Sequence, residues 1–162
     1  MSALTRACIG LGANLGDTRR TIIAAADELA EVPGIALCSL SPLYVSAPVD
    51  AGGPDFINAV ALVDSGLSAA ELLAQMQCIE TAHGRGRPYR HAPRTLDLDL
   101  LLYGNLCLNT PALTLPHPRL HERAFVLLPL LDVWPDAVIP GLGSAADWLP
   151  HVGEQRIQRL AE

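Results

Sequence analysis

Two aspartates, Asp97 and Asp99, stand two positions apart directly after a run that carries Arg85, Arg87, Arg90 and Arg94, four of the eleven basic residues in the chain. Successive side chains on an extended backbone point to opposite faces. The two carboxylates therefore share a face with about 6 to 7 Å of strand rise between them, while Leu96, Leu98 and Leu100 point the other way. Carboxylates held that close repel unless a cation sits between them. Mg²⁺ suits the pair, because it takes hard oxygen ligands, keeps several waters and is usually bound through one or two carboxylates plus substrate phosphates. The arginines would then meet the phosphate oxygens. Alternating Asp and Leu is also what a half-exposed strand looks like, and charge runs are usually solvated surface. The adjoining arginines favour a site for a polyphosphate and its metal ions.

Other residues offer chemistry with less context. His117 stands in Leu115-Pro116-His117-Pro118 with Arg119 and Arg123 just beyond, and prolines on both sides restrict a side chain that must meet a phosphate. It is equally readable as a loop histidine near a helix start. Asn58 lies in an otherwise apolar strand, where a carboxamide can offer both donor and acceptor to the edge of a heterocycle or be satisfied structurally. Phe56 falls on the same face and offers an apolar surface beside it, or simple core packing. Gly10-Leu11-Gly12-Ala13-Asn14-Leu15-Gly16 departs from a dinucleotide fingerprint, since its third glycine is one position late. A tight strand-to-helix turn explains these glycines without a ligand.

The chain has 162 residues, 50% hydrophobic but only 4% aromatic, with a formal charge of −6. That length suits one domain, 1–162, with a core that needs no disulfide or structural metal. The acidic balance argues against nucleic acid as a partner, because such affinity rests on many Lys and Arg contacts to phosphates. Every basic residue is Arg. The absence of Lys excludes a Walker A loop and a protein-kinase site, both of which need one on the phosphates. Cys8, Cys38, Cys78 and Cys107 form no C-x-x-C and read as reduced core residues. No apolar run approaches the ~18 residues of a membrane span, and residues 1–9 lack a signal-like apolar stretch. A cytoplasmic monomer without a membrane partner is the expectation.

The elements that must position these residues follow from the pattern. A first strand over 7–11 leads through a glycine turn to an N-cap at Asp17 and a helix over 18–31, stopped by Pro33-Gly34. A long strand is predicted over 35–46, a loop over 47–54 and another strand over 55–63. Ser68-Ala69-Ala70-Glu71 is a capping box that opens a helix to about His83. A strand over 95–103, a turn at Gly104-Asn105 and a return strand over 106–108 make a hairpin. Pro116, Pro118 and Pro129 confine the next helix to pieces between Arg119 and Val133, and the pattern beyond Pro135 assigns nothing. The order β-α-β-β-α-β gives an α+β class, a ferredoxin-like split β-α-β sandwich with helices on one face of a mainly antiparallel sheet.

With Gly12-Ala13-Asn14-Leu15-Gly16, Asp55-Phe56-Ile57-Asn58-Ala59, Gly84-Arg85-Gly86-Arg87, Pro93-Arg94-Thr95-Leu96-Asp97-Leu98-Asp99 and Pro116-His117-Pro118-Arg119 in this order, the chain resembles the 6-hydroxymethyl-7,8-dihydropterin pyrophosphokinases of folate biosynthesis over about residues 9–133. The resemblance implies the ferredoxin-like fold, ATP as co-substrate, two Mg²⁺ ions, and transfer of the β,γ-diphosphate of ATP to the pterin hydroxymethyl group with release of AMP. It makes Asp97 and Asp99 the metal ligands, and with Arg87 and Arg94 the catalytic set. Gln77, Arg85, Arg87, Arg94, Thr114, His117 and Arg123 fall where the family contacts ATP. Ser46, Ala47, Pro48, Val49, Phe56, Asn58 and Phe125 fall around the pterin. His91 is grouped with them, standing where other members carry a Trp. Phe56 replaces a Tyr, Pro118 replaces a Tyr near the nucleotide, and the loop at Gly52-Gly53 is one residue shorter. Glu80 matches a glutamate on the helix leading into the site. Segments 47–54 and 84–93 are expected to close over the substrates. The rivals are a two-metal phosphohydrolase built on the same aspartates and an RNA-binding ferredoxin-like module; the absence of an aromatic-rich RNP pattern counts against the second.

Overall fold

The computed structural model describes residues 4–14, 17–46, 56–83, 96–155 and 157–160. Its centre is strand β1, Thr5–Ala13, paired antiparallel on one side with β4, Phe56–Ser65, and on the other with β5, Asp97–Tyr103. Helix α1, Thr18–Glu31, starts where Asp17 accepts the Arg20 N–H at 3.2 Å, so the N-cap sits where an aspartate before an amphipathic run puts it. After α1 the chain reverses through Gly34, whose φ of +91° is accessible to glycine without strain. Helix α2, Ala69–Ala82, begins with the full capping box: Ser68 Oγ accepts the Glu71 N–H and Glu71 Oε1 accepts the Ser68 N–H.

The long strand expected over 35–46 is two strands, β2 (Ile35–Leu40) and β3 (Tyr44–Ser46), which pair with successive stretches of the same edge of β4. Pro42 has no N–H for a ladder and breaks the run. Ser41 bridges the break, its amide donating to the Val60 carbonyl and its hydroxyl accepting the Val60 N–H, both at 2.9 Å. The hairpin expected between 95–103 and 106–108 does not form either. Gly104 turns the chain at a φ of +54°, and the return segment β6, Leu108–Asn109, pairs with β7, Thr114–Leu115. Thr110 closes that small hairpin by accepting the Leu113 N–H at its hydroxyl, so β6 finds a local partner before it can reach β5.

The helices do not all lie on one face. Ile9 and Leu11 of β1, Val63 of β4 and Leu98 of β5 pack against Ile22 and Leu29 of α1 and Leu72 and Met76 of α2. On the other face Cys8, Val60, Leu62, Leu101 and Leu102 pack against Leu127 and Leu130 of α3, Ala124–Val133. Strands β1 and β4 are apolar on both sides, and a sheet built from such strands must be covered twice. Each large aliphatic side chain so buried contributes about 1.5–3 kcal/mol. Pro129 lies inside α3 rather than ending it, and the buried face of the helix outweighs the bond its ring removes.

The stretch beyond Pro135 completes the second covering layer. A hairpin of β8, Val138–Ile139, and β9, Gly143–Ser144, leads to a 3₁₀ helix, Ala145–Val152, whose Ala145 and Val152 pack with α3. Strand β10, Ile157–Arg159, then pairs with β3, so the main sheet runs β10-β3-β4-β1-β5 with β2 also on β4. All four cysteines are free, but only Cys8 belongs to the core; Cys38, Cys78 and Cys107 are exposed. Cys38 is the extra residue where the β2–β4 register shifts, which turns its side chain outward. No described helix is long and apolar enough to cross a membrane.

Candidate active site

Register on the central strands decides what faces what. Asp99 lies opposite Gly10, and Asp97 lies opposite Gly12, which on its other side faces Asn58 of β4. Cross-strand partners share a face, so both carboxylates, both glycines and Asn58 look toward the α3 side of the sheet. A β-bulge follows: Ile9 pairs with Leu100 and Cys8 with Leu102, leaving Leu101 as the extra residue. Leu101 therefore turns to the same side and floors the site with an apolar surface.

The result is a cavity of about 250 Å³ between the sheet and the start of α3. Asp97 and Asp99 form one wall, Ser46, Phe56 and Asn58 another, and Arg123 and Phe125 the third. Asn58 is buried, and its Nδ2 donates to Ser46 Oγ at 2.8 Å, which ties β4 to β3 at the cavity wall. The Arg123 guanidinium lies 5.4 Å from the centre of the Phe125 ring, a cation–π contact that aligns charge and aromatic face on one wall.

Gly10 falls in the first strand as expected, whereas Gly12, expected in the turn that follows, lies within β1 as well. A Cβ on Gly12 would stand 3.2 Å from Asn58 Oδ1, and one on Gly10 would stand 3.4 Å from Leu101 Cδ1. Their missing side chains keep the cavity floor open next to the carboxylates. A glycine pair inside an apolar alternation is the signal that finds them, because glycine weakens a strand unless a close approach requires it.

His117 is not on the cavity lining but stands beside it. Its N–H donates to the Leu101 carbonyl at 3.0 Å, fastening it to the open edge of β5, and its Nδ1 accepts the Arg119 N–H at 3.2 Å. The neutral ring then carries its proton on Nε2, as a donor. Burial lowers the His117 pKa; the negative charge of Asp99 opposes this, and Arg123 and Arg119 add to it. Imidazole, carboxylate and guanidinium thus share one electrostatic environment.

Glu80, on α2, is buried and accepts the Leu98 N–H at Oε2, 2.9 Å. That bond grips β5 from the opposite face, at the residue between the two aspartates. Gln77 is exposed on α2 and Thr114 is half-buried on β7, and neither lines the cavity. Ala47, Pro48, Val49, Arg85, Arg87, His91 and Arg94 lie outside the described residues, as do the two segments expected to close.

Among the described residues no three His, Cys, Asp or Glu side chains converge to hold an ion. The donor set is two carboxylates, which fits a cation that completes its shell with water and phosphate oxygens, as Mg²⁺ does.

Residues 8–135 match the family 7,8-dihydro-6-hydroxymethylpterin-pyrophosphokinase. The chain belongs to this pyrophosphokinase family. It is 44% identical over 158 residues to the 2-amino-4-hydroxy-6-hydroxymethyldihydropteridine pyrophosphokinase of Pseudomonas aeruginosa, covering 97% of this chain and 98% of that one. The protein of the same name from Haemophilus influenzae is 40% identical over 155 residues, covering 95% and 97%. Among solved structures, wild-type Plasmodium falciparum HPPK-DHPS with pteroate superposes with a TM-score of 0.75 at 14% identity, over 99% of this chain and 48% of that one. The chain spans about half the length of that protein. The likeness bears out the α+β pyrophosphokinase fold, mainly antiparallel with helices packed on it, and the resemblance read from the motifs is family membership.

Proposed function

We propose that this chain transfers the β,γ-diphosphate of ATP to the hydroxymethyl oxygen of 6-hydroxymethyl-7,8-dihydropterin and releases AMP. The observation that carries the reading is one cavity in which Asp97 and Asp99 stand across two side-chain-free positions, Gly10 and Gly12, with an apolar and carboxamide wall beside them. A flat heterocycle needs an aromatic face and a polar edge, and Phe56, Phe125 and Asn58 provide both. Ser46 holds the Asn58 amide in place.

The hydroxymethyl oxygen attacks the β-phosphorus, the bond from that phosphorus to the oxygen bridging to the α-phosphate breaks, and the hydroxyl proton is released. Such transfers depend on alignment and charge stabilisation more than on covalent participation by the protein. Arg123 would neutralise phosphate oxygens, and the Nε2–H of a neutral His117 would donate a hydrogen bond to one without a proton having to be moved. Arg85, Arg87 and Arg94, from the stretch just before Leu96, are assigned to the same polyphosphate, with Gln77 and Thr114 toward the rest of the nucleotide. Ala47, Pro48, Val49 and His91 are assigned to the pterin. Asp97 and Asp99 would hold Mg²⁺, two ions in the full reading, and when bound these supply positive charge that aligns and neutralises the phosphates. A monomer as the working unit and a cytoplasmic setting complete the reading.

The phosphohydrolase and RNA-binding readings gain no support from the family to which the chain belongs. The deciding experiment incubates the purified chain with ATP, Mg²⁺ and 6-hydroxymethyl-7,8-dihydropterin and separates the products by chromatography. AMP and the pterin diphosphate should appear in equal amounts, and Asp97→Ala should lower the rate by about 10²- to 10³-fold, on the scale of one electrostatic contribution. ADP as the main nucleotide, or inorganic phosphate released without pterin, would overturn the assignment.

A further inference from the structure

Arg123 is a single extended residue, at φ −122° and ψ 118°, between a 3₁₀ turn, Leu120–Glu122, and α3. It occupies the N-cap of α3 and makes no side-chain capping bond. A guanidinium has no acceptor and cannot cap an amide, so an arginine here leaves the first amide of the helix without local help. The help comes from far along the chain. Gln155 Oε1 accepts the Ala124 N–H at 2.8 Å, and Gln155 Nε2 donates to the Glu122 carbonyl at 2.6 Å. One carboxamide thereby grips the residues on both sides of Arg123. Gln155 is itself anchored, because its N–H donates to the carbonyl of Val152, which is buried against α3. Residue 155 also lies past residues 8–135, the stretch that carries the family match.

We propose that Gln155 is a positioning residue for pyrophosphoryl transfer. Its two bonds fix the backbone of Arg123, and with it the guanidinium that lies over Phe125 at the cavity wall. The capping duty has passed to a residue 31 positions from the Ala124 amide that it caps, which leaves the N-cap side chain available to the ligand. The inference rests on the placing of Arg123 in the site proposed above.

The test is a double-mutant cycle on the full chain, with steady-state kinetics for wild type, Gln155→Ala, Arg123→Ala and the double variant, and a thermal melt for each. Gln155→Ala should raise the KM for ATP about fivefold and lower kcat/KM about tenfold, a shift that a lost fraction of folded molecules cannot produce in KM. In the Arg123→Ala background the same change should alter kcat/KM less than about twofold, since residues that act through one another are not additive. Gln155→Glu keeps the acceptor for the Ala124 N–H but turns an acceptor-only carboxylate oxygen toward the Glu122 carbonyl in place of the donor, so its kcat/KM should also fall below wild type. Should Gln155→Ala not fold, the same cycle with Gln155→Glu decides. Equal losses in both backgrounds, or an unchanged KM for ATP, would overturn the role of Gln155 while leaving the pyrophosphokinase reading intact. An Arg123→Ala variant with wild-type kinetics would also overturn it. A wild-type chain that makes no AMP would overturn both.

Discussion

Gly12 shows how little room the site leaves. A methyl group there would press on Asn58 Oδ1 at 3.2 Å, and Asn58 cannot retreat easily because it is buried and held by Ser46. Gly12→Ala should therefore weaken pterin binding by about tenfold, the effect of roughly 1.4 kcal/mol, with little loss of ATP affinity. Gly10→Ala, which meets only the movable end of Leu101, should cost less. Titration calorimetry with each ligand separates the two, and equal effects from both substitutions would show that the contact to Asn58 is not what matters. That Asp97 and Asp99 share a face was legible in the sequence, because a spacing of two on a strand puts both side chains on one side, and both line the cavity. The place of Gly12 was not. A glycine close to an Asn-Leu-Gly stretch looks like part of a turn, and only strand register reveals that it faces a carboxylate.

Among the elements, α1 and α2 were the most readable, since Asp17 and the Ser68–Glu71 pair announce their starts with side chains that satisfy helix amides. Strands were less so. The 35–46 stretch has the composition of one strand, and its break depends on Pro42 meeting a ladder whose other strand lies far away in the chain. The return strand over 106–108 failed for the opposite reason, because Thr110 offered a nearer partner. Between α2 and β5 the decisive tie is Glu80. Replacing Glu80 by Ala would leave the Leu98 N–H buried without that acceptor, at a cost of about 1–3 kcal/mol. Urea denaturation should show that loss. The Mg²⁺ concentration for half-maximal activity should also rise, because the backbone between the two aspartates is no longer held. A loss of stability with unchanged Mg²⁺ dependence would restrict Glu80 to the fold.

At the scale of the whole molecule, residues beyond Pro135 carry more than their sequence suggested. Their apolar groups are too short to show a period, so neither the 3₁₀ helix nor β10 could be read. Yet β10 finishes the sheet beside β3, which brings Ser46 to the cavity. The joint is a cluster in which the Tyr44 hydroxyl donates to Asp132 Oδ2 and Arg159 donates to Asp132 Oδ1 at 3.1 Å. Tyr44 is buried and Arg159 is more than half exposed, so the two bonds are not equal. Burial, then the bond to Asp132, raises the Tyr44 pKa, which keeps the hydroxyl protonated as the donor. Tyr44→Phe should cost about 1.5–3 kcal/mol as a lost bond to a charged group. Arg159→Ala should cost less than about 1 kcal/mol, as exposed ion pairs do. Denaturant melts of the two variants test the ranking, and a larger loss from Arg159→Ala would reverse it.

The position of Cys8 has a practical side. It sits fully buried in the middle of β1, where burial pushes its thiol up to about 12, while Cys38, Cys78 and Cys107 are exposed. The thiolate is the nucleophile that attacks an alkylating reagent and displaces its leaving group, so three adducts form on the native protein while the fourth waits until the central strand leaves its neighbours. The delay before that last mass increment is a clock, built into the chain, for the opening of the strand that carries Gly10 and Gly12.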